Sequence, residues 1–162
     1  MNDTRLHLFD ERALDELVLR ARAAPRRRQN FNLHPALDDP IQRLLNAGEP
    51  DTYVRPHRHR PGRWELVAVL RGQIDTLLFD DTGAVTARYA LTVGNCIEVP
   101  GAAWHSFVFA LPGTIALEIK PGPYDAQLDK EFAAWAPVED AADAAACARW
   151  IATAQVGARW GC

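Results

Sequence analysis

Between Thr52 and Lys120, short apolar runs rich in Val, Ile, Leu, Phe and Thr alternate with turn signals. These stand at Pro61-Gly62, Arg71-Gly72, Asp80-Asp81-Thr82-Gly83, Val93-Gly94, Pro100-Gly101 and Pro112-Gly113. Signals spaced about 8 to 12 residues apart predict short antiparallel strands forming a sandwich or small barrel. The flanks read differently. Asp10 to Ala24 predicts a helix capped by Asp10 and stopped by Pro25, with Leu14, Leu17, Val18 and Ala21 at helical spacing. Gln29 to Leu33 reads as extended. Asp39-Pro40 followed by Ile41, Leu44, Leu45 and then Gly48 predicts a short helix, with a cap, a first-turn proline and a glycine past the end. Pro121-Gly122-Pro123 closes the strand region, and an Ala-rich stretch from Glu139 to Ala154 has strong helix propensity. The pattern predicts a mainly β fold in one domain over 1–162: a helical arm at 1–50, a β-barrel core at 51–121 and a C-terminal extension with a second helical arm at 122–162.

The chemistry in this pattern is carried by histidines. His57 and His59 lie two apart, so on a strand they face one point; Glu65 follows after five residues, and His105 begins the run Trp104 to Phe109. Glu65 opens the apolar run Leu66 to Leu70. An unpaired carboxylate is costly there, and its parity with Val67 and Val69 turns it inward. Together these residues predict a metal site of three imidazoles and one carboxylate. Such a set leaves one or two positions open on a five- or six-coordinate ion and suits Zn, Fe, Mn, Ni or Co. Tyr53 and Arg55 share parity with His57 and His59 and are expected on the same cavity wall, with Arg55 a fork for a ligand carboxylate or phosphate unless Pro56 turns it out. Tyr53, His34 and Tyr124 are the candidates for a proton-transfer group. Phe107 and Phe109 share the parity of His105 and are expected to fill the barrel interior.

The two clusters, His-x-His-x5-Glu with Gly72 and Gly94-x5-Pro100-x4-His105, resemble the two signature motifs of the cupin superfamily. The chain departs from the usual pattern at Asp51 and Ala102, where glycines are usual, and at Phe109, where asparagine is usual; none is a ligand position. Outside the motifs, Asn32-Leu33-His34-Pro35, Asp38-Asp39-Pro40, Trp64-Glu65, Gly122-Pro123-Tyr124-Asp125 and Lys130-Glu131-Phe132 resemble the WbuC family of cupin-fold metalloproteins. That family is associated with bacterial surface-polysaccharide gene clusters. The resemblance implies a cupin-type antiparallel jelly roll, one divalent transition metal held by His57, His59, Glu65 and His105, and a small-molecule ligand such as an anionic sugar derivative. With the metal polarising a carbonyl, the activity expected of such a site is isomerisation, epimerisation or tautomerisation of a sugar or nucleotide sugar. An iron-dependent dioxygenase with the same 3-His-1-Glu set and a non-catalytic sugar-binding module stay open beside it.

Composition narrows the setting. A net charge of -3 and a pI near 5.9 give no electrostatic reason for a nucleic-acid partner. Cys96, Cys147 and Cys162 are odd in number and scattered, which predicts reduced thiols, Cys96 buried and inert, in a cytoplasmic protein. Met1 to Glu16 shows no apolar signal-peptide core, and no apolar run is long enough for a membrane span. Arg26-Arg27-Arg28 reads as a solvated linker, with the phosphates of a nucleotide sugar as the rival reading, and Trp135 and Trp150 as anchors of the C-terminal segment. Open sheet edges on a sandwich this size predict a homodimer.

Overall fold

A computed structural model describes residues 6–161. Met1–Arg5 and Cys162 lie outside it, and with them the start of the charged N-terminal stretch and the third thiol. The elements run α1 (Glu11–Ala23), β1 (Arg28–Asn32), β2 (Ile41–Gly48), β3 (His57–Arg58), β4 (Glu65–Arg71), β5 (Gln73–Phe79), β6 (Val85–Thr92), β7 (Cys96–Val99), β8 (Trp104–Phe109), β9 (Thr114–Pro121), β10 (Glu131–Phe132) and α2 (Ala144–Thr153). Two antiparallel five-stranded sheets result, in the orders β1-β2-β9-β4-β7 and β10-β3-β8-β5-β6. This is the mainly β jelly roll that the turn spacing anticipates.

Period-two alternation assigns each strand an inner and an outer face. On β8, His105, Phe107 and Phe109 point between the sheets, while Trp104 and Val108 point out. On β5, Ile74 points in, while Leu77 and Phe79 point out. Each outer face is covered by one helical arm. Leu14, Leu17, Val18 and Ala21 of α1 pack on Leu45, Ala47 and Ile115 of the first sheet. The Asp10 carboxylate caps α1 by accepting from the Ala13 amide at 3.0 Å. Across the molecule, Cys147 and Ile151 of α2, with Trp135 and Trp150, cover Leu77, Phe79, Val85 and Val108 of the second sheet. Arg88 reaches from β6 to the α2 C-terminus, donating to the carbonyls of Ile151, Ala152 and Ala154 while paired with Asp75. These contacts satisfy orphan carbonyls of the last turn.

Three expectations are corrected here. Residues 41–48 form a strand, not a short helix. Asp39 does cap, accepting from the Ile41 amide at 3.0 Å, but the segment then pairs with β9 along its whole length, from Ile41 opposite Pro121 to Gly48 opposite Thr114. Leu44 and Leu45 fit either period, and tertiary pairing decided. Cys96 is exposed on the edge strand β7, while Cys147 is buried. The arginine run is no solvated linker. Arg26 and Arg28 both hold Glu139, at 2.6 Å each, and Arg27 pairs with Asp51, which clasps the N-terminal arm to the C-terminal extension.

Gly72 makes the tight β4–β5 turn at φ 75°, where a side chain would also strike Thr114 Oγ1 at 2.3 Å. Ala102, where the cupin pattern usually has glycine, adopts the same left-handed region at φ 72°, and its amide donates to the His59 carbonyl at 2.8 Å.

Candidate metal centre and its cavity

His57 and His105 are opposed across β3 and β8, His59 follows from the end of β3, and Glu65 begins β4 on the facing sheet. All four are buried, and each offers one ligand atom within 4.8 Å of the others. Glu65 Oε2 lies 3.1 Å from His59 Nε2 and 3.2 Å from His105 Nε2. Ligands about 2.1 Å from a shared ion stand about 3 to 4 Å apart, so these separations fit a metal.

Ring protonation sharpens the fit. Nδ1 of His57 faces the Arg55 carbonyl at 2.9 Å, Nδ1 of His59 the Asp129 carbonyl at 2.6 Å, and Nδ1 of His105 the Ala103 carbonyl at 2.9 Å. A carbonyl only accepts, so each Nδ1 carries its hydrogen, and a neutral ring then presents the Nε2 lone pair to the centre. His57 Nε2 is buried with no hydrogen-bond partner. Burial, the charge of Lys130 and His105 hold His57 well below the usual imidazole range, so it is neutral. Burial would raise Glu65, but His105 and His59 outweigh it and keep the carboxyl ionised. The unpartnered Nε2 lone pair of His57, buried beside a carboxylate, is costly unless a cation stands between them. The donor set fits a metal ion.

The cluster forms one end of a cavity of about 870 Å³ between the sheets. One wall, on the second sheet, is apolar, from Ile74, Phe107 and Phe109; Gly48 lets the Phe109 ring approach the backbone, since a Cβ there would meet it at 2.5 Å. The facing wall carries polar residues that sequence reasoning missed: Gln42 and Asn46 of β2, Glu118 and Lys120 of β9, and Asp129. Glu118 accepts from Asn46 Nδ2 at 2.6 Å. Burial, with the negative charge of Glu65, pushes its carboxyl up to about 7. Lys120 lies 3.3 Å from Glu118 and 3.0 Å from Asp129; burial pulls its ammonium down, but Glu118, Glu65 and Asp129 outweigh burial and raise it. A signal existed in the sequence: Ala116, Glu118 and Lys120 alternate with Ile115, Leu117 and Ile119, which puts two charges on the inner face of an otherwise apolar strand.

The other predicted residues divide. His34, Arg55 and Tyr124 line the cavity; Tyr53 does not. The Tyr53 hydroxyl donates to the Pro137 carbonyl at 3.0 Å among the outer-face apolar residues, and burial raises its pKa. Its expected inward direction is corrected because β3 spans only His57–Arg58, so strict alternation does not extend back to position 53. Arg55 Nε and Nη2 donate to the Ala136 and Ala133 carbonyls at 3.2 and 3.0 Å, and the guanidinium lies 5.1 Å from the centre of the Phe132 ring. His34 is buried, with Nδ1 against the Arg43 backbone and Nε2 unpartnered.

Solved structures with the same fold are cupin-superfamily proteins. KdgF from Halomonas sp. aligns at 15% identity with a TM-score of 0.51, over 64% of this chain and 86% of that one. The DMSP lyase DddQ from Ruegeria pomeroyi DSS-3 aligns at 16% and 0.51, over 65% and 51%. Oxalate decarboxylase from Bacillus subtilis aligns at 12% and 0.52, over 65% and 27%. This chain thus spans about half the length of the lyase and about a quarter of the decarboxylase. No curated protein matches the sequence. A family model described as "Domain of unknown function (DUF6016)" matches residues 9–91, just over half of the chain, taking in His57, His59 and Glu65 but not His105. Among the described residues no helix is long and apolar enough to cross a membrane.

Proposed function

The chain belongs to the DUF6016 family, and we propose that it is a metal-dependent cupin enzyme that moves a proton on a small polar ligand. The reaction class is isomerisation, epimerisation or tautomerisation, and the ligand is a sugar or nucleotide-sugar intermediate of surface-polysaccharide synthesis. The carrying observation is the convergence of His57, His59, Glu65 and His105, with all three Nδ1–H groups turned to carbonyls, at the end of a cavity that also holds a carboxyl outside the cluster. The WbuC likeness of the flanking motifs directs the reading to surface polysaccharides, and a homodimer remains its expected assembly.

In this reading His57, His59, Glu65 and His105 hold a divalent ion. Lewis acidity toward a carbonyl or hydroxyl is what such an ion supplies when bound. The remaining work falls to the chain. Phe107, Phe109 and Ile74 exclude water from one side of the ligand, and Gln42 and Asn46 meet its hydroxyls on the other. Glu118 stands in the cavity outside the ligand set, steadied by Asn46, and its carboxyl oxygen takes and returns the proton.

The test is solvent exchange. Metal-loaded protein is incubated in D2O with sugar phosphates and nucleotide sugars, and carbon-bound deuterium is read by NMR. Incorporation that stops on chelation supports the proposal. Binding without exchange or turnover would leave a ligand-binding module, and oxygen-dependent oxidation of the ligand would make the protein an oxygenase; either outcome overturns it.

A further inference from the structure

Five cations line the cavity, and four are already engaged. Arg26 and Arg28 hold Glu139. Arg55 is spent on the Ala133 and Ala136 carbonyls. Lys120 lies between Glu118 and Asp129. Among the described residues Lys130 is the cavity cation without a hydrogen bond or ion pair. Its placement is nonetheless fixed by its neighbours. The Asp129 carbonyl takes the His59 Nδ1 hydrogen, and the Glu131 carboxylate takes a two-pronged bond from Arg58 at 2.8 and 2.9 Å. Phe132 pairs in register with His57. The segment is tied down on both sides of a half-buried ammonium that has nothing to bind.

We propose that Lys130 anchors an anionic group, a carboxylate or a phosphate, on the ligand of the metal centre. Two further observations support it. Lys130 lines the same cavity as His57 and Glu65, and its chain neighbours Asp129 and Phe132 meet His59 and His57. The charge balance also leaves room for an anion. Around the centre, the carboxylates of Glu65, Glu118 and Asp129 face the ammoniums of Lys120 and Lys130, so a bound divalent ion leaves the pocket positive. A compact ammonium suits one oxygen of a carboxylate or phosphate as a point charge. The inference rests on the metal-centre reading above and replaces Arg55 with Lys130 as the anion contact.

The experiment uses the full chain loaded with cobalt(II), whose visible spectrum reports on the coordination sphere. Glycolate and methyl phosphate are titrated separately, so the two arms distinguish carboxylate from phosphate. The wild type is expected to bind one of them, and Lys130→Met to bind it on the order of 10- to 100-fold more weakly, the loss typical of one charged hydrogen bond. Lys130→Arg should recover most of the affinity. Metal stoichiometry and melting temperature should not change. Equal affinity in Lys130→Met overturns the proposal, as does loss of metal together with affinity. Metal uptake with neither anion bound removes the anion anchor and leaves the metal reading standing. Failure to take up metal removes both.

Discussion

Charged side chains are handled in opposite ways inside the barrel and on its outside. At the cavity rim and on the surface, opposite charges close on themselves: Arg26 and Arg28 on Glu139 at the rim, Arg58 on Glu131 and Arg71 on Glu11 and Asp15 on the surface. Inside, the cluster gathers four ligand atoms, and among the described residues His57 Nε2 has no hydrogen-bond partner and Lys130 has no hydrogen bond or ion pair. Closed sets hold arms to a core and work without anything added. Open sets buried at this depth are costly unless a ligand completes them. The outer charges are therefore structural, and the inner arrangement fits a metal ion.

The largest test of that contrast removes an inner group. His59→Ala is expected to abolish stoichiometric metal, read by elemental analysis, while circular dichroism shows a folded barrel, since the apolar clusters do not depend on that imidazole. For the wild type, metal at about 1,000 times its dissociation constant should add about 4 kcal/mol to stability, and a chelator should remove it. An unfolded His59→Ala would make the site structural and erase the contrast.

Next in size, Glu118→Gln should keep metal and fold but lower the exchange rate about 100-fold or more, the usual scale of one proton-transfer group. Unchanged exchange would return Glu118 to the role of an ion-pair partner for Lys120.

The outer clasp should matter less. Burial would raise Glu139, but Arg26 and Arg28 outweigh it and hold the carboxyl below the usual range. Its folded pKa lies below its unfolded one, so the contribution is complete above about pH 4.5 and is lost as pH falls through the folded value. Glu139→Gln should cost about 1 kcal/mol by denaturant unfolding at pH 7. The difference should vanish in acid and leave metal content unchanged. Metal loss in this variant would show that the clasp reaches the inner cluster.

The smallest effect is a gain. Ala102→Gly relieves a left-handed alanine and should stabilise the fold by about 1 kcal/mol. A loss would mean that the alanine methyl group contributes packing that outweighs the strain.

The same inner-outer division explains what the sequence made legible. Imidazoles two apart on a strand, and a carboxylate at the head of an apolar run, stand out because nothing structural calls for them. The turns were legible because glycine and proline mark them chemically. Glu118 and Lys120 are hidden because the inner face of β9 is fixed only by its partners β2 and β4, which a single strand's sequence does not reveal. The strand at 41–48 was misread because Gln42 and Asn46 look like solvent positions, whereas they face a polar cavity. Tyr53 was misplaced by extending strand parity through a segment that is not a strand.

The hydrogen bond from His59 to the Asp129 carbonyl spans 70 residues. Every ligand of the cluster lies between positions 57 and 105, so on the ribosome all four emerge well before the carbonyl that fixes the His59 tautomer. Long-range closures of this kind come late in folding. A nascent chain that has completed β1 to β9 still has an unlocked imidazole, and metal loading is expected to wait until the 129–132 strap, which carries β10, has docked. Metal capture then reports that synthesis has passed the strap, so a truncated barrel would be metal-poor and distinguishable from the finished chain.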